Sequence, residues 1–310
     1  MRKFIFRVLL FLAIMFVVDR LVDIGIDYLA SHPKGGMTQR RNYITDFCKE
    51  DILIFGSSRA HYHYDPQIVT DSLGMTCFNC GENAMGIVHF YAWWKIISQR
   101  YHPQLLIYDV TPEMDVRRGS NYEFLWRLRN HYGHEDVRTV FEKVEPKEKW
   151  KMVSRMYRYN STFTEIAADI IHPMKEQGFN GFVAVHRNVK PKYAIKPPKY
   201  EKKKIIPDSL KMDFFETMIK EMGPTQLVLV ASPYLTGINS STFDPIKELS
   251  QKYGVPFLDY SNDSNYLRKT DYFYDSNHLN ATGAEVFTRN LVGEIRKIMD
   301  SRQAAPRDKQ

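Results

Sequence analysis

Cysteine is scarce: the chain has three in 310 residues, too few for a disulfide framework. Cys77 and Cys80 form a C-x-x-C. Cys77 falls at an expected strand end and Cys80 in the loop behind it, not at the start of a helix as in a redox pair. No second ligand pair accompanies them as a zinc site requires. Both are read as buried thiols, and a disulfide involving Cys48 would need an oxidising compartment. There is no internal repeat, no nucleic-acid-binding motif, no defensible metal-ligand spacing among the histidines, and no motif calling for a cofactor. A full-length, uncharged apolar run is also missing. The formal net charge of +7 suits an anionic membrane or an acidic polymer without naming either.

What is present begins at the N-terminus. Arg2, Lys3 and Arg7 form a basic start, and residues 8–18 are unbroken apolar sequence, the n-region and h-region of a secretory signal. No small-x-small cleavage site follows; Asp19 and Arg20 stand there instead. An apolar face then continues through Leu21, Val22, Ile24, Ile26 and Leu29. The reading is an uncleaved signal-anchor helix over residues 1–31, basic end inside, with Arg7 and Arg20 snorkelling to lengthen a short span. A packed amphipathic helix and a cleaved signal peptide are the alternatives. Residues 31–42, polar and containing Pro33, Gly35 and Gly36, read as a linker.

Strands and helices alternate beyond it. Strands are expected at 51–55, 75–79, 105–110, 226–231 and 255–259. Helices are expected after Asp65-Pro66 (an N-cap with proline at N1) and at 85–100, 210–222, 242–253 and 281–299. That alternation implies a parallel sheet with helices on its faces. Residues 117–205, rich in Arg, Lys, Tyr and Trp, break the pattern and read as a mainly helical insertion. It divides a sheet domain at 32–116 and 206–300, and a polar tail covers 301–310. Within the insertion, basic residues from Arg187 to Lys204 alternate with tyrosine and proline. Lys202, Lys203 and Lys204 are candidates for contact with a lipid surface or an acidic glycan.

Ligands of open parallel sheets bind beyond the carboxyl ends of the strands. Three such ends carry turn-forming polar sequence: Gly56-Ser57-Ser58, Asn79 to Ala84, and Asp109 to Pro112. Far off in the chain, Asp275 and His278 precede the last helix. A serine hydroxyl needs a base to take its proton; histidine titrates near neutrality, and a carboxylate fixes its tautomer and stabilises its charged form. Three residues apart, Asp275 and His278 can meet within one turn. The glycine before the serines lets the backbone turn sharply and leaves N–H groups for an oxyanion.

ILIFGSSRA resembles the first block of the SGNH (GDSL-like) hydrolase superfamily, with Ser57 in place of the usual Asp and Ser58 at the nucleophile position. FNCGENA resembles the second block, Asn-x-Gly-x-x-Gly, with Ala84 where the second glycine stands. DSNHLNATGAEVF resembles the last block, where Asp and His complete the triad. The resemblance implies Ser58 as nucleophile, His278 as base, Asp275 as its orienter, and the N–H groups of Ser58 and of Gly81 or Ala84 as oxyanion-hole donors. The third block departs: Asp109-Val110-Thr111-Pro112-Glu113 stands where Gly-x-Asn-Asp is usual, which leaves Asn83 or the Thr111 hydroxyl to complete the hole. Membrane-anchored relatives similar to proteins of teichoic-acid D-alanylation and alginate acetylation also carry Gly-Ser-Ser.

The expectation is therefore a three-layer α/β/α, flavodoxin-like sheet of SGNH type with a helical insertion and an N-terminal membrane anchor, the catalytic domain facing outward. Its expected activity is hydrolysis or transfer of acyl esters, such as O-acetyl groups, on an envelope polysaccharide or glycolipid. A multi-pass membrane protein that supplies the acyl group is a compatible partner. Arg59 is expected to touch substrate. The competing expectation is a tethered, non-catalytic binder of an envelope polymer.

Overall fold

The computed structural model describes residues 1–172, 179–190 and 205–304. Among the described residues five strands, β1 (Ile52–Gly56), β2 (Cys77–Asn79), β3 (Leu105–Asp109), β4 (Gln226–Ala231) and β5 (Phe257–Asp259), form one sheet in the order β2-β1-β3-β4-β5. Every pairing is parallel. This is the flavodoxin-like order, in which the chain changes direction across the sheet between β1 and β3.

The helices are α1 (Arg2–Ser31), α2 (Gly36–Asn42), α3 (Ser58–His63), α4 (Pro66–Leu73), α5 (Ile87–Ser98), α6 (Pro112–Asp115), α7 (Glu135–Val144), α8 (Glu148–Lys151), α9 (Phe163–Ile171), α10 (Ser209–Lys220), α11 (Asp244–Tyr253) and α12 (Ala281–Ala304). The chain divides into two compact units. One comprises residues 1–47, 95–99 and 120–176; the other comprises 48–94, 100–119 and 177–310.

The second unit contains the sheet, covered on both faces as a buried parallel sheet must be. Pleating sends alternate residues of each strand to opposite sides. Ile52, Ile54, Leu105, Ile107, Val228 and Val230 pack with Val69 of α4 and with Phe287, Leu291 and Ile295 of α12. On the other side Phe55 meets Phe90 of α5, and Tyr108 meets both Phe90 and Phe215 of α10. The expected three layers are present. Helix α4 starts as its sequence implies: the Asp65 side chain accepts from the Gln67 N–H, Pro66 opens the helix, and Gly74 closes it in the left-handed region.

The insertion is not one piece. Residues 120–176 belong to the first unit, whereas 179–190 run through the sheet unit, where Phe182 and Val189 enter the core. The Val189 N–H donates to the Phe273 carbonyl and the Ala281 N–H to that of Val185. Lys202, Lys203 and Lys204 lie outside the described residues. All three cysteines are buried free thiols.

The first unit changes two expectations. Residues 31–42 are no linker. Gly36 takes φ +68, and a Cβ there would run into the Asp169 carboxylate. That carboxylate accepts from the Thr38 N–H (2.9 Å) and hydroxyl (2.7 Å). Nor is the anchor borne out as a spanning segment: among the described residues no helix is long and apolar enough to cross a membrane. The uncharged stretch 8–18 reaches about 16 Å at 1.5 Å per residue, against about 30 Å of hydrocarbon.

The charges that interrupt α1 have protein partners. Asp19 accepts from the Ser154 hydroxyl and the Arg155 N–H, Asp23 pairs with Arg158, and Asp27 accepts from the Tyr159 hydroxyl. Spaced four apart, the three carboxylates share a helix face. Residues 122–158 close on buried Glu148, which accepts from the Tyr122 hydroxyl (2.7 Å) and Arg129 Nε (3.2 Å).

One glycine of α12 links fold to site. Gly283 sits in the first turn, where alanine ordinarily stabilises a helix by about 1 kcal/mol. A Cβ here would run into the Tyr272 carbonyl. Gly283→Ala is therefore expected to lower the melting temperature and to displace the 272–280 loop. Calorimetry checks the sign, and a rise in melting temperature would contradict the close packing.

Candidate active site

The site lies beyond the carboxyl edge of β1. Strand β1 ends at Gly56 with φ +137, and a Cβ there would sit 2.7 Å from the Asp109 carbonyl oxygen and 2.9 Å from the Ala60 Cβ. Glycine lets the chain turn at once into α3, whose first residue is Ser58. Ser57, the residue before that helix, is 1% exposed, and it is Ser58 that meets the histidine.

The Ser58 Oγ is 2.7 Å from His278 Nε2. His278 Nδ1 lies 2.9 Å and 3.0 Å from the two carboxylate oxygens of Asp275. With Nδ1–H donating to Asp275, Nε2 is left to accept from the serine. Asp275 is held by the N–H groups of Asn277 (2.8 Å) and His278 (2.9 Å). Burial pushes its carboxyl up, but the hydrogen bond and charge of His278 and the two N–H donors outweigh this and hold it below its ordinary value. The Tyr274 ring stacks on the imidazole at 5.3 Å, and Tyr62 stands edge-on to both rings at 5.7 Å. The arrangement can take a proton from the serine and return it to a leaving group.

The loop after β2 lies alongside. The Cys80 N–H donates to the Ile54 carbonyl and the Glu82 N–H to the Gly56 carbonyl, so residues 80–84 run beside the β1–α3 turn. Of the expected oxyanion donors, Gly81 is corrected: its N–H donates to Asn79 Oδ1 at 2.8 Å. Its lack of a side chain serves close packing, since a Cβ would meet the His61 backbone nitrogen. The Asn83 amide donates to the Tyr62 hydroxyl at 3.3 Å. Ala84 holds a left-handed backbone at φ 61 and is exposed. The N–H of Ser58, as the first of its helix, has no intrahelical acceptor.

Arg59 is corrected as a substrate contact. It is 3% exposed, and its guanidinium faces protein atoms: the Asn277 carbonyl (2.9 Å), the Ser232 carbonyl and hydroxyl, and the Pro233 carbonyl (3.1 Å). Nε lies 3.7 Å from Asp109, and the Tyr234 ring stacks 3.7 Å beneath. A long cationic side chain is buried only with such partners. Burial pushes the Asp109 carboxyl up, opposed by the Arg59 charge and by hydrogen bonds from Tyr64 and Ser232.

Sequence reasoning weighed His63 only as an anion clamp, a second base or an incidental histidine, and missed its structural role and its partner Ser232. His63 is fully buried; its Nε2 accepts from the Leu279 N–H (3.0 Å), so Nδ1 carries the proton and donates to the Ser232 hydroxyl (3.0 Å). It fixes the backbone directly after His278. The available signal was a serine at the end of a central strand, where polar residues serve sites. Among the described residues no group of acidic, histidine and cysteine side chains could hold a metal ion.

Comparison with known proteins gives no matching family model and no matching curated protein. Among solved structures, the chain is similar to a gut microbial diltiazem-metabolizing enzyme (13% identity, TM-score 0.38), covering 80% of this chain and 47% of that one. It thus spans about half of that enzyme's length. It is also similar to a lipase/acylhydrolase from Enterococcus faecalis (13% identity, TM-score 0.39; 79% of this chain, 95% of that one). A third likeness is to an alpha/beta hydrolase enzyme from the metagenome of Lake Arreo, Spain (9% identity, TM-score 0.40; 81% and 96%). Likenesses this loose carry no argument about family or substrate.

His63 yields a pH prediction. Burial, and then the charges of Arg59 and His278, hold its pKa well below 6.5. The unfolded chain binds a proton near 6.5 that the folded chain refuses, so its contribution to stability is present above that pH and is lost as pH falls. Denaturant titrations from pH 8 to 5 should show wild type losing up to about 1.4 kcal/mol per unit below about 6.5 relative to His63→Gln. Parallel profiles would contradict the neutral, buried assignment.

Proposed function

We propose that this chain is a serine-dependent acyl-ester hydrolase or O-acyltransferase. The observation that carries the reading is the relay from Ser58 Oγ through His278 to Asp275, at 2.7 and 2.9 Å. Ser58 attacks the ester carbonyl while its proton passes to His278 Nε2, and Asp275 stabilises the imidazolium that forms. The N–H groups of Ser58 and Ala84 receive the oxyanion, in the role generally worth the most in acyl transfer. His278 returns the proton to the departing alkoxide. Water then resolves the acyl-enzyme in hydrolysis, and a sugar hydroxyl resolves it in transfer.

The substrate we propose is an ester, such as an O-acetyl group, on an envelope polysaccharide or glycolipid. Arg187, exposed and 5.1 Å over the Tyr274 ring, offers a positive charge at the rim for an acidic glycan and takes the part expected of Arg59. Ser58→Ala and His278→Ala are expected to abolish labelling by a fluorophosphonate probe and to lower nitrophenyl acetate turnover by about 1,000-fold or more. Wild-type protein that neither labels nor turns over would favour the non-catalytic binder.

A membrane is the partner we propose for the start of α1. Phe4, Leu9, Phe11, Leu12, Phe16 and Val17 are each more than half exposed, next to Arg2, Lys3 and Arg7. An apolar helix with a basic end is drawn to anionic lipid by burial and charge together. Full-length protein is expected to float with anionic vesicles, and Leu12→Glu with Phe16→Glu to abolish flotation while esterase activity stays. Full-length chain remaining in the lipid-free fraction would remove the membrane from the proposal.

A further inference from the structure

We propose that Tyr274 is a positioning residue of the Ser58 site. Its ring holds the His278 imidazole in place and stabilises the imidazolium formed when Ser58 gives up its proton; the inference rests on the reading of His278 as the base. The loop that carries both residues closes on itself. Phe273 pairs with Leu279 in an isolated antiparallel bridge, and the Tyr274 N–H donates to the His278 carbonyl at 3.0 Å. Residues that face each other across an antiparallel ladder bring their side chains together. The two rings stack accordingly, with centroids 5.3 Å apart and planes inclined by 10°.

The stacked pair is anchored from outside. Phe273 is fully buried, and its carbonyl accepts from the Val189 N–H at 2.7 Å. Tyr62 stands edge-on to both rings at 5.7 Å, and its hydroxyl accepts from the Asn83 amide at 3.3 Å. Turning the imidazole about its Cβ–Cγ bond, which would swing Nε2 away from Ser58, would also tilt it out of the stack.

The stack is also selective for charge. An aromatic face carries negative potential and attracts a cation within about 6 Å of its centroid. The neutral imidazole gains little from this, and the imidazolium gains more. Only an interaction that strengthens toward the transition state raises kcat. Burial, and then the charge of Asp275, push the Tyr274 hydroxyl up, so the ring stays an un-ionised phenol and acts through its face. The other groups that face His278 are Asp275 at Nδ1 and Ser58 at Nε2, with Tyr62 and the neutral His63, edge-on at 6.1 Å, from α3. Arg59 meets the loop at the Asn277 carbonyl, and Arg187 lies over the Tyr274 ring. Asp275 stabilises the imidazolium at its edge, and Tyr274 does so across its plane.

The test is steady-state kinetics of the full chain with nitrophenyl acetate across pH. Tyr274→Leu removes the ring; it should lower kcat about 3- to 30-fold with little change in KM. The same variant should move the acid limb of kcat/KM to lower pH by about half a unit or more. Tyr274→Phe keeps the ring and should rescue most of kcat. Fluorinated phenylalanines placed at residue 274 keep the shape while draining the ring face, and kcat should fall with each added fluorine; this series decides the matter if the Leu variant does not fold. A kcat indifferent to fluorination, a Leu variant with wild-type kcat and acid limb, a loss confined to KM, or a loss that Phe does not rescue overturns the assignment. His278→Ala is run in parallel: if turnover survives it, the reading of His278 as base falls and this proposal with it. If turnover is abolished there but unmoved by the Leu and fluorinated variants, only the Tyr274 assignment falls.

Discussion

The site depends on a single buried guanidinium. Arg59 follows Ser58 in sequence, and its Nη1 donates to the carbonyl of Asn277, the residue before His278. Its Nη2 meets the end of β4 at Ser232 and Pro233, and its Nε faces Asp109 at the end of β3. Two strand ends and the histidine loop are tied to one side chain, so Ser58 and His278 are held in register through their neighbours. Removing one partner of a buried pair of this kind generally costs about 3–5 kcal/mol. Any change at Arg59 would therefore act on folding and on site geometry together. His63 holds the same loop from the other side, at the Leu279 N–H.

Much of this was legible in the sequence because it rests on local signals. The β-branched run ending in glycine, the Asp-Pro start of α4 and the apolar run QLVLVA gave the elements close to their observed bounds. The pairing of Asp275 with His278 is a one-turn matter, so spacing revealed it. Arg59 was misread because burial is a tertiary fact: beside a nucleophile, an arginine aimed at substrate and one aimed at backbone carbonyls share the same sequence. The structural role of His63 stayed hidden for the same reason, since its partners, Ser232 and Leu279, lie far along the chain.

At the N-terminus, hydropathy identified an apolar run but could not say what its charges do. Of the carboxylates Asp19, Asp23 and Asp27, the sequence reading used only Asp19, as standing where a cleavage site would be. All three form the face by which α1 joins residues 154–159 of its own unit. A single helix thus carries two regimes, a paired half from Asp19 onward and an exposed apolar half before it. Gly36 shows the converse error: read as a flexible linker residue, it lies against Asp169 because no side chain fits there.

The separation of Ser58 from His278 by 220 residues has a consequence for biogenesis. During vectorial synthesis Ser58 emerges early, while His278 arrives only with the last loop before α12. Contacts of such sequence separation are slow to form, because loop closure must be met before they are rewarded. No N-terminal fragment that stops short of this loop brings Ser58, His278 and Asp275 together, so their contact is a late-arriving feature of the fold.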